Sequence, residues 1–306
     1  MPQDRHGLPE GTVLDNYRVL NLIGSGGFSL IYLAEDADTG EEVVIKEFMP
    51  KKFARRDSRL LVQPDSESAR DNLNRSLRLF FQEAKVLAGL RHPNIVQVLG
   101  FFRHNNTGYI VMEYYRGQNL ASYIKRRQGL LSTNFILRVF IPILDALSLI
   151  HSKALLHLDI KPGNIQLRAG SEPLLLDFGA VNAYSVDKKS KGGQVITAGY
   201  SPVEQYYQSG NLGPWSDVYA IGASIRACMQ GKTPPSSVER HAGETLVAAV
   251  DQFRGQYPLF LLEAVDWSMQ MNPQARPQDA GELLKILRDN ADLRAMEPST
   301  TSAPGG

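Results

Sequence analysis

Between Leu155 and Leu167 the chain reads LLHLDIKPGNIQL, which sets a carboxylate (Asp159), an ammonium (Lys161) and a carboxamide (Asn164) inside six positions between apolar runs. A carboxylate so placed can orient an acceptor hydroxyl and take its proton, and an ammonium two residues on can neutralise a transferring anion. Downstream, LLLDFGAV puts Asp177 at the end of an apolar strand. Asn164 and Asp177 together offer hard oxygen ligands of the kind Mg²⁺ takes from a protein, with substrate phosphates and water completing the shell. Upstream, IGSGGFSLIYLA places Gly24 and Gly26 in a turn after a strand, where a missing Cβ lets backbone N–H groups approach a phosphate. SLIYLAED alternates as a strand and does not open a helix, so a dinucleotide-binding turn is excluded. VVIK ends a strand on Lys46, and Glu83 lies on the apolar-faced helix that follows; a lysine that grips phosphates is oriented by such a carboxylate.

These groups need elements to hold them. From Tyr17 the chain alternates short β-branched runs with turn signals, in YRVLNLIG, SLIYLAEDADTG and EEVVIKEF, and DTG at Asp38 to Gly40 fits a hairpin turn. A polar stretch, Lys51 to Asn74, reads as a loop whose Lys51, Lys52, Arg55, Arg56 and Arg59 could dock an acidic partner. In RSLRLFFQEAKVLAGL, Leu77, Phe80, Phe81, Ala84, Leu87 and Ala88 recur at helical spacing. IVQVLGFF and YIVMEYY read as strands. Beyond Gly117 the pattern becomes helical, in NFILRVFIPILDALSLIH, SDVYAIGASIRACMQ, LFLLEAVDWSMQ and DAGELLKILRDN. A β-rich first third before an α-rich remainder predicts an α+β chain of two lobes with different architectures, and clefts between such lobes are preferred ligand sites.

Composition removes several classes. Thirty-three Lys and Arg against 32 Asp and Glu leave no global field toward nucleic acid or an anionic membrane. The single cysteine, Cys228, excludes an internal disulfide framework and suits a buried structural thiol. The start MPQDRHGLPEG has no apolar signal core, so a soluble, cytoplasmic chain without membrane contact is expected. Residues 1–16 read as a flexible tail and 291–306 as a disordered tail or the start of a linker. Nothing in the sequence specifies an oligomeric state.

The ordered set of motifs resembles the eukaryotic-like, bacterial-type serine/threonine protein kinase catalytic domain, over residues 17–290. The resemblance implies a bilobal fold, with an N-lobe at 17–114, a hinge at 113–117, a C-lobe at 118–290 and an ATP cleft between the lobes. It identifies Gly24, Ser25, Gly26, Gly27, Phe28 and Ile31 with the glycine-rich phosphate loop and Lys46 with the lysine that binds the α and β phosphates. Glu83 corresponds to the glutamate holding that lysine. It places Val44, Met112 as gatekeeper, Glu113, Tyr115, Asn119 and Gln166 around the nucleotide. Asp159 becomes the base, Lys161 the stabiliser of the transferring group, and Asn164 and Asp177 the ligands of Mg²⁺, with Mn²⁺ as a second candidate cation. Thr197 in TAGYSPVE matches a threonine that bonds the catalytic aspartate and lysine, Asp217 the anchoring aspartate of a buried helix, and Arg276 the partner of Glu204. Lys161 and Thr197 resemble the serine/threonine branch, so the implied activity is transfer of the ATP γ-phosphoryl group to Ser and Thr hydroxyls of proteins, the chain itself included. A catalytically weak relative serving as a nucleotide-regulated binding module is the alternative.

Four positions depart from the pattern. Ser29 replaces the loop's third glycine, Val44 stands where alanine is usual against adenine, and Gln166 puts an amide on a normally apolar pocket floor. The fourth is Leu158. An arginine there would bind a phosphate on the activation segment and so order it, and leucine has no donor. Activity without prior phosphorylation of Ser185, Ser190 or Thr197 is the expectation.

Overall fold

The structure is a computed structural model, and it describes residues 6–176, 182–183, 196–207, 210–243 and 246–296. The chain divides into two compact units, Met1–Arg116 and Gly117–Gly306.

In the first unit, β1 (Val13–Leu14), β2 (Tyr17–Ser25), β3 (Ser29–Asp36), β4 (Glu42–Phe48), β7 (Val98–His104) and β8 (Thr107–Glu113) form one antiparallel sheet in the order β1-β2-β3-β4-β8-β7. Its strands follow a period of two, with Leu30, Tyr32 and Ala34 buried along β3 and Val43 and Ile45 along β4. Helix α1 (Glu67–Ala88) covers the sheet. Phe80 of α1 meets Phe48 at 5.4 Å between ring centroids, and Gly108 admits the helix because a Cβ there would lie 2.8 Å from Phe81.

The polar stretch expected as a loop is structured instead. It holds a hairpin of β5 (Ala54–Arg56) and β6 (Val62–Pro64), and α1 begins at Glu67, two turns before its apolar periodicity becomes evident. Ser66 starts the helix by accepting a hydrogen bond from the Ala69 amide, and two single buried residues, Ala54 and Val62, hold the hairpin down. Arg56, read as a candidate for docking a partner, points inward. Its guanidinium lies 2.5 Å from Glu47, a fully buried carboxylate that also accepts from the hydroxyls of Tyr32 (2.8 Å) and Tyr109 (2.7 Å). Burial, then the charge of Glu47, push both phenols far above their ordinary range, so they remain donors. Arg56 also donates to the carbonyls of His6 and Leu60, and the Leu8 amide donates to Tyr32. The segment expected as a flexible tail is thus partly built in. Leu8 and Leu14 are buried, and Val13 and Leu14 pair with β2, because two leucines and a few backbone bonds suffice to dock a stretch of polar average composition.

In the second unit, β9 (Gln118–Asn119), α2 (Leu120–Arg127) and α3 (Thr133–Ser152) come first. Next are β10 (Leu155–Leu156), β11 (Ile165–Leu167), β12 (Pro173–Leu175) and β13 (Asn182–Ala183). β11 pairs with both β12 and β9, and β10 with β13. The rest is helical, with α4 (Val203–Tyr206), α5 (Pro214–Gln230), α6 (Ser237–His241), α7 (Ala249–Gln252), α8 (Leu259–Ser268) and α9 (Ala280–Met296). Helix α9 continues past residue 290, where the sequence suggested a tail. Among the described residues α3 alone has the length and apolarity of a membrane span, yet it carries Arg138 and Asp145 and packs Val139, Phe140, Ile143 and Leu147 fully out of solvent within its unit. Helix α5 is buried on every side, and burial pushes the Cys228 thiol up, which makes it an inert core residue.

Candidate active site

The alternation of β4 that buries Val43 and Ile45 would turn Lys46 to the opposite face, and there it is almost as buried, at 6% exposure. Its Nζ lies 3.7 Å from Glu83 Oε1, four residues before the end of the buried stripe of α1 at Leu87. Val44 and Met112 are direct register partners across β4 and β8, so the two candidate pocket residues are neighbours. Glu113 and Tyr115 bond to each other through their side chains.

The glycine-rich turn closes with the Gly26 amide donating to Ser29 at 2.8 Å, and Ile31 pairs with Gly24. A Cβ on Gly24 would crowd Ile31 at 3.2 Å. At Gly26 the nearest atom would be in ordinary contact, and at Gly27 nothing lies within 4 Å. Neither packing nor a positive φ demands glycine at 26 or 27, so their bare backbone suits a ligand brought close. Phe28 is exposed, its carbonyl accepting from Met49, while Lys51 donates from Nζ to Ser25 Oγ at 2.5 Å and from its amide to Gly27.

In the second unit the polar trio of the 155–167 stretch is assembled as one cluster. The Asp159 carboxylate accepts from Lys161 Nζ at 2.9 and 2.8 Å, from Asn164 Nδ2 at 2.9 Å and from Thr197 Oγ1 at 2.7 Å. Lys161 also donates to Thr197 at 3.1 Å. Asn164 uses its amide nitrogen for both of its bonds to Asp159, to the carboxylate and to the backbone carbonyl, which leaves the hard carboxamide oxygen as the atom suited to a cation. Asp177, its expected companion, lies outside the described residues, as do Phe178, Ser185 and Ser190.

The cluster's rigidity comes from beneath. Asp217, fully buried on α5, accepts from the amides of His157 (2.9 Å) and Leu158 (2.7 Å) and bonds His151 Nε2 at 3.0 Å. Burial acts to raise this carboxyl, but the hydrogen bond and charge of His151, with His157, outweigh it and hold it below the usual carboxylate range. With the folded value depressed, Asp217 adds stability that is present above the unfolded pKa and is lost as pH falls through the folded one. Leu158 takes a left-handed conformation, φ 58°, rare for a branched residue and kept only where the surroundings over-determine it. Glu204 on α4 pairs with Arg276 at 2.7 Å, both buried, and accepts from Ser216.

Two further candidate nucleotide residues are register partners in the second unit. The Asn119 side chain accepts from the Ser122 amide and caps α2, and Gln166, half-buried, pairs with Asn119 across β11 and β9. Sequence reasoning missed Ser201 and Gln205: the Thr197 amide donates to Ser201 Oγ, and Gln205 Nε2 donates to the Leu158 carbonyl at 2.7 Å. Their only signal in the sequence is two amide- or hydroxyl-bearing residues inside an apolar-flanked segment.

The family model for the protein kinase domain matches residues 17–289. Among curated proteins, "Serine/threonine-protein kinase PknA" of Nostoc sp. strain PCC 7120 is 30% identical over 289 residues, covering 90% of this chain and 48% of that protein. "Serine/threonine-protein kinase PrkC" of Bacillus subtilis strain 168 is 30% identical over 218 residues, covering 71% and 31%. The chain spans between about a third and three fifths of the length of the curated relatives it matches, 48% of the first of them. A solved structure described as "PpkA-294 apo form" superposes with a TM-score of 0.79 at 31% identity, covering 92% of this chain and 99% of that one.

Proposed function

Since this chain belongs to the protein kinase domain family, we propose that it transfers the γ-phosphoryl group of ATP to serine and threonine hydroxyls of proteins. The observation that carries this reading is the Asp159–Lys161–Asn164–Thr197 cluster, in which one carboxylate is held by three side-chain donors. Phosphoryl transfer asks a protein mainly for positioning and charge neutralisation. The acceptor oxygen attacks the γ-phosphorus, the bond to the β–γ bridging oxygen breaks, and Asp159 takes the hydroxyl proton. Lys161 neutralises the moving phosphoryl group. Lys46 binds the α and β phosphates with Glu83 holding it, the backbone of Gly24 to Phe28 cradles them, and Val44, Met112, Glu113 and Tyr115 border the base. A divalent cation, Mg²⁺ or Mn²⁺, supplies neutralisation of phosphate charge when bound, and Asn164 with Asp177 would hold it. Dependence on ATP implies a cytoplasmic setting.

The test is incubation with labelled ATP, a divalent cation and protein, tyrosine-peptide and metabolite acceptors, followed by phosphoamino-acid analysis. Label in phosphoserine and phosphothreonine is expected. Nucleotide binding without turnover would leave a binding module, and label in metabolites alone would move the chain to another class. Lys46→Met is expected to weaken ATP use and lower kcat, with Glu83→Gln acting in the same direction but less, because it only orients the lysine. Equal activity of Glu83→Gln and the parent in steady-state assays would show another partner for Lys46.

Control follows from Leu158. With no donor for a phosphate at that position, enzyme stripped by a phosphatase should show the same initial rate as enzyme preincubated with ATP. A lag removed by preincubation and restored by phosphatase would contradict this.

A further inference from the structure

We propose that Gln205 is a positioning residue for the catalytic loop, its neutral amide holding the Leu158 carbonyl and with it the backbone that carries Asp159; the inference rests on the kinase reading above.

Three observations converge on it. Gln205 is 2% exposed, and its Nε2 donates to the Leu158 carbonyl at 2.7 Å. That carbonyl belongs to the peptide joining Leu158 to Asp159, so the bond fixes the backbone from which the proposed base projects. The neighbouring peptide is held from the other side, by the Leu158 amide on Asp217 Oδ1 at 2.7 Å. A left-handed leucine needs both flanking peptide groups restrained, and Asp217 restrains one of them. The base of Gln205 is itself rigid, since the adjacent Glu204 is locked to Arg276 at 2.7 and 3.2 Å.

The segment 197–205 therefore grips the catalytic loop at both ends. Thr197 bonds the Asp159 side chain, Gln205 bonds the backbone one residue earlier, and Ser201 braces the middle by accepting from the Thr197 amide while its carbonyl accepts from Ser237. None of these bonds involves a phosphate. Within 197–205 the donors to the catalytic loop are neutral groups, half-buried Thr197 and buried Gln205, so these contacts need no modification. A small displacement of Asp159 is costly, because misplacing a reacting group by about 1 Å lowers rates by up to about 10²-fold.

The experiment uses the full chain and two variants. Gln205→Met keeps length and volume but removes the donor. It is expected to lower kcat about tenfold, with the KM for ATP within about twofold, since the loss falls on geometry of the base and spares nucleotide binding. Gln205→Glu adds a readout that a filling role would not move. Ionised, its carboxylate faces the Leu158 carbonyl with no proton to donate; protonated, it donates again. Its rate relative to the parent should therefore be low at about pH 8 and recover toward parity as pH falls to about 5.5, through the raised pKa of a buried glutamate. A Gln205→Met enzyme with parental kcat would overturn the proposal. If that variant fails to fold, a pH-independent ratio for Gln205→Glu overturns it instead, and recovery at low pH supports it. An inactive parent would remove the kinase reading itself, which keeps the two failures apart.

Discussion

Asp159→Asn is expected to lower the rate of Ser/Thr phosphorylation by about 10²- to 10⁴-fold, the usual loss for a general base. The change is nearly isosteric. It replaces an acceptor of protons with an amide whose nitrogen would face Lys161, Asn164 or Thr197, three groups that now donate to the carboxylate. The backbone frame should survive, because it is carried by Asp217 on the amides of His157 and Leu158 and by Gln205 on the Leu158 carbonyl, none of which touches the altered side chain. Initial rates, nucleotide affinity and thermal unfolding measured on the same preparation would separate these effects. Near-parental turnover with an unchanged melting temperature would show that the hydroxyl loses its proton elsewhere.

Arg56→Met carries the second large effect, on stability. The Arg56 side chain is 4% exposed and its partner Glu47 is fully buried, so its removal strands a carboxylate in the interior of the first unit. Such losses typically cost about 3–5 kcal/mol. The hydroxyls of Tyr32 and Tyr109 still donate to Glu47, which places the expectation at the low end of that range, about 3 kcal/mol. Loss of the bond from Arg56 Nε to the His6 carbonyl should also release the N-terminal segment, seen as faster amide exchange at Leu8. Adding Glu47→Gln should restore part of the loss, since a neutral amide needs no counter-charge. Urea unfolding of the parent, both single variants and the double variant completes the cycle. A cost below about 1 kcal/mol for Arg56→Met would mean that Glu47 is adequately held by the two tyrosines.

The two predictions rest on residues that differ in how readily the sequence disclosed them. Asp159, Lys161 and Asn164 lie close together in the chain, between apolar runs that become β10 and β11, and local spacing alone suggested their chemistry. Lys46 with Glu83, Asp217 below the catalytic loop and the Glu204–Arg276 pair were reachable through the order of motifs along the chain; within their units the first two lie at an ion-pair distance of 3.7 Å and the others at hydrogen-bonding distance. The strands of the first unit and the long helices of the second were legible because period-2 and period-3.6 patterns are local consequences of one buried face.

The remainder depended on what the chain packs against. Lys51 to Asn74 looked like a solvated loop because its average polarity is high, yet Ala54, Val62 and Leu73 each find a buried place and the arginine beside them finds Glu47. Residues 6–14 were docked by two leucines and by hydrogen bonds to side chains distant in sequence. What the sequence by itself determined is therefore the chemical inventory and the elements that carry it, since both are written in short-range spacing. Only the tertiary structure decided which polar groups are interior, that Asn119 serves a helix end, and that Gln205 holds the Leu158 carbonyl. A side chain's burial and its long-range partner arise from surfaces brought together in folding, and no local pattern encodes them.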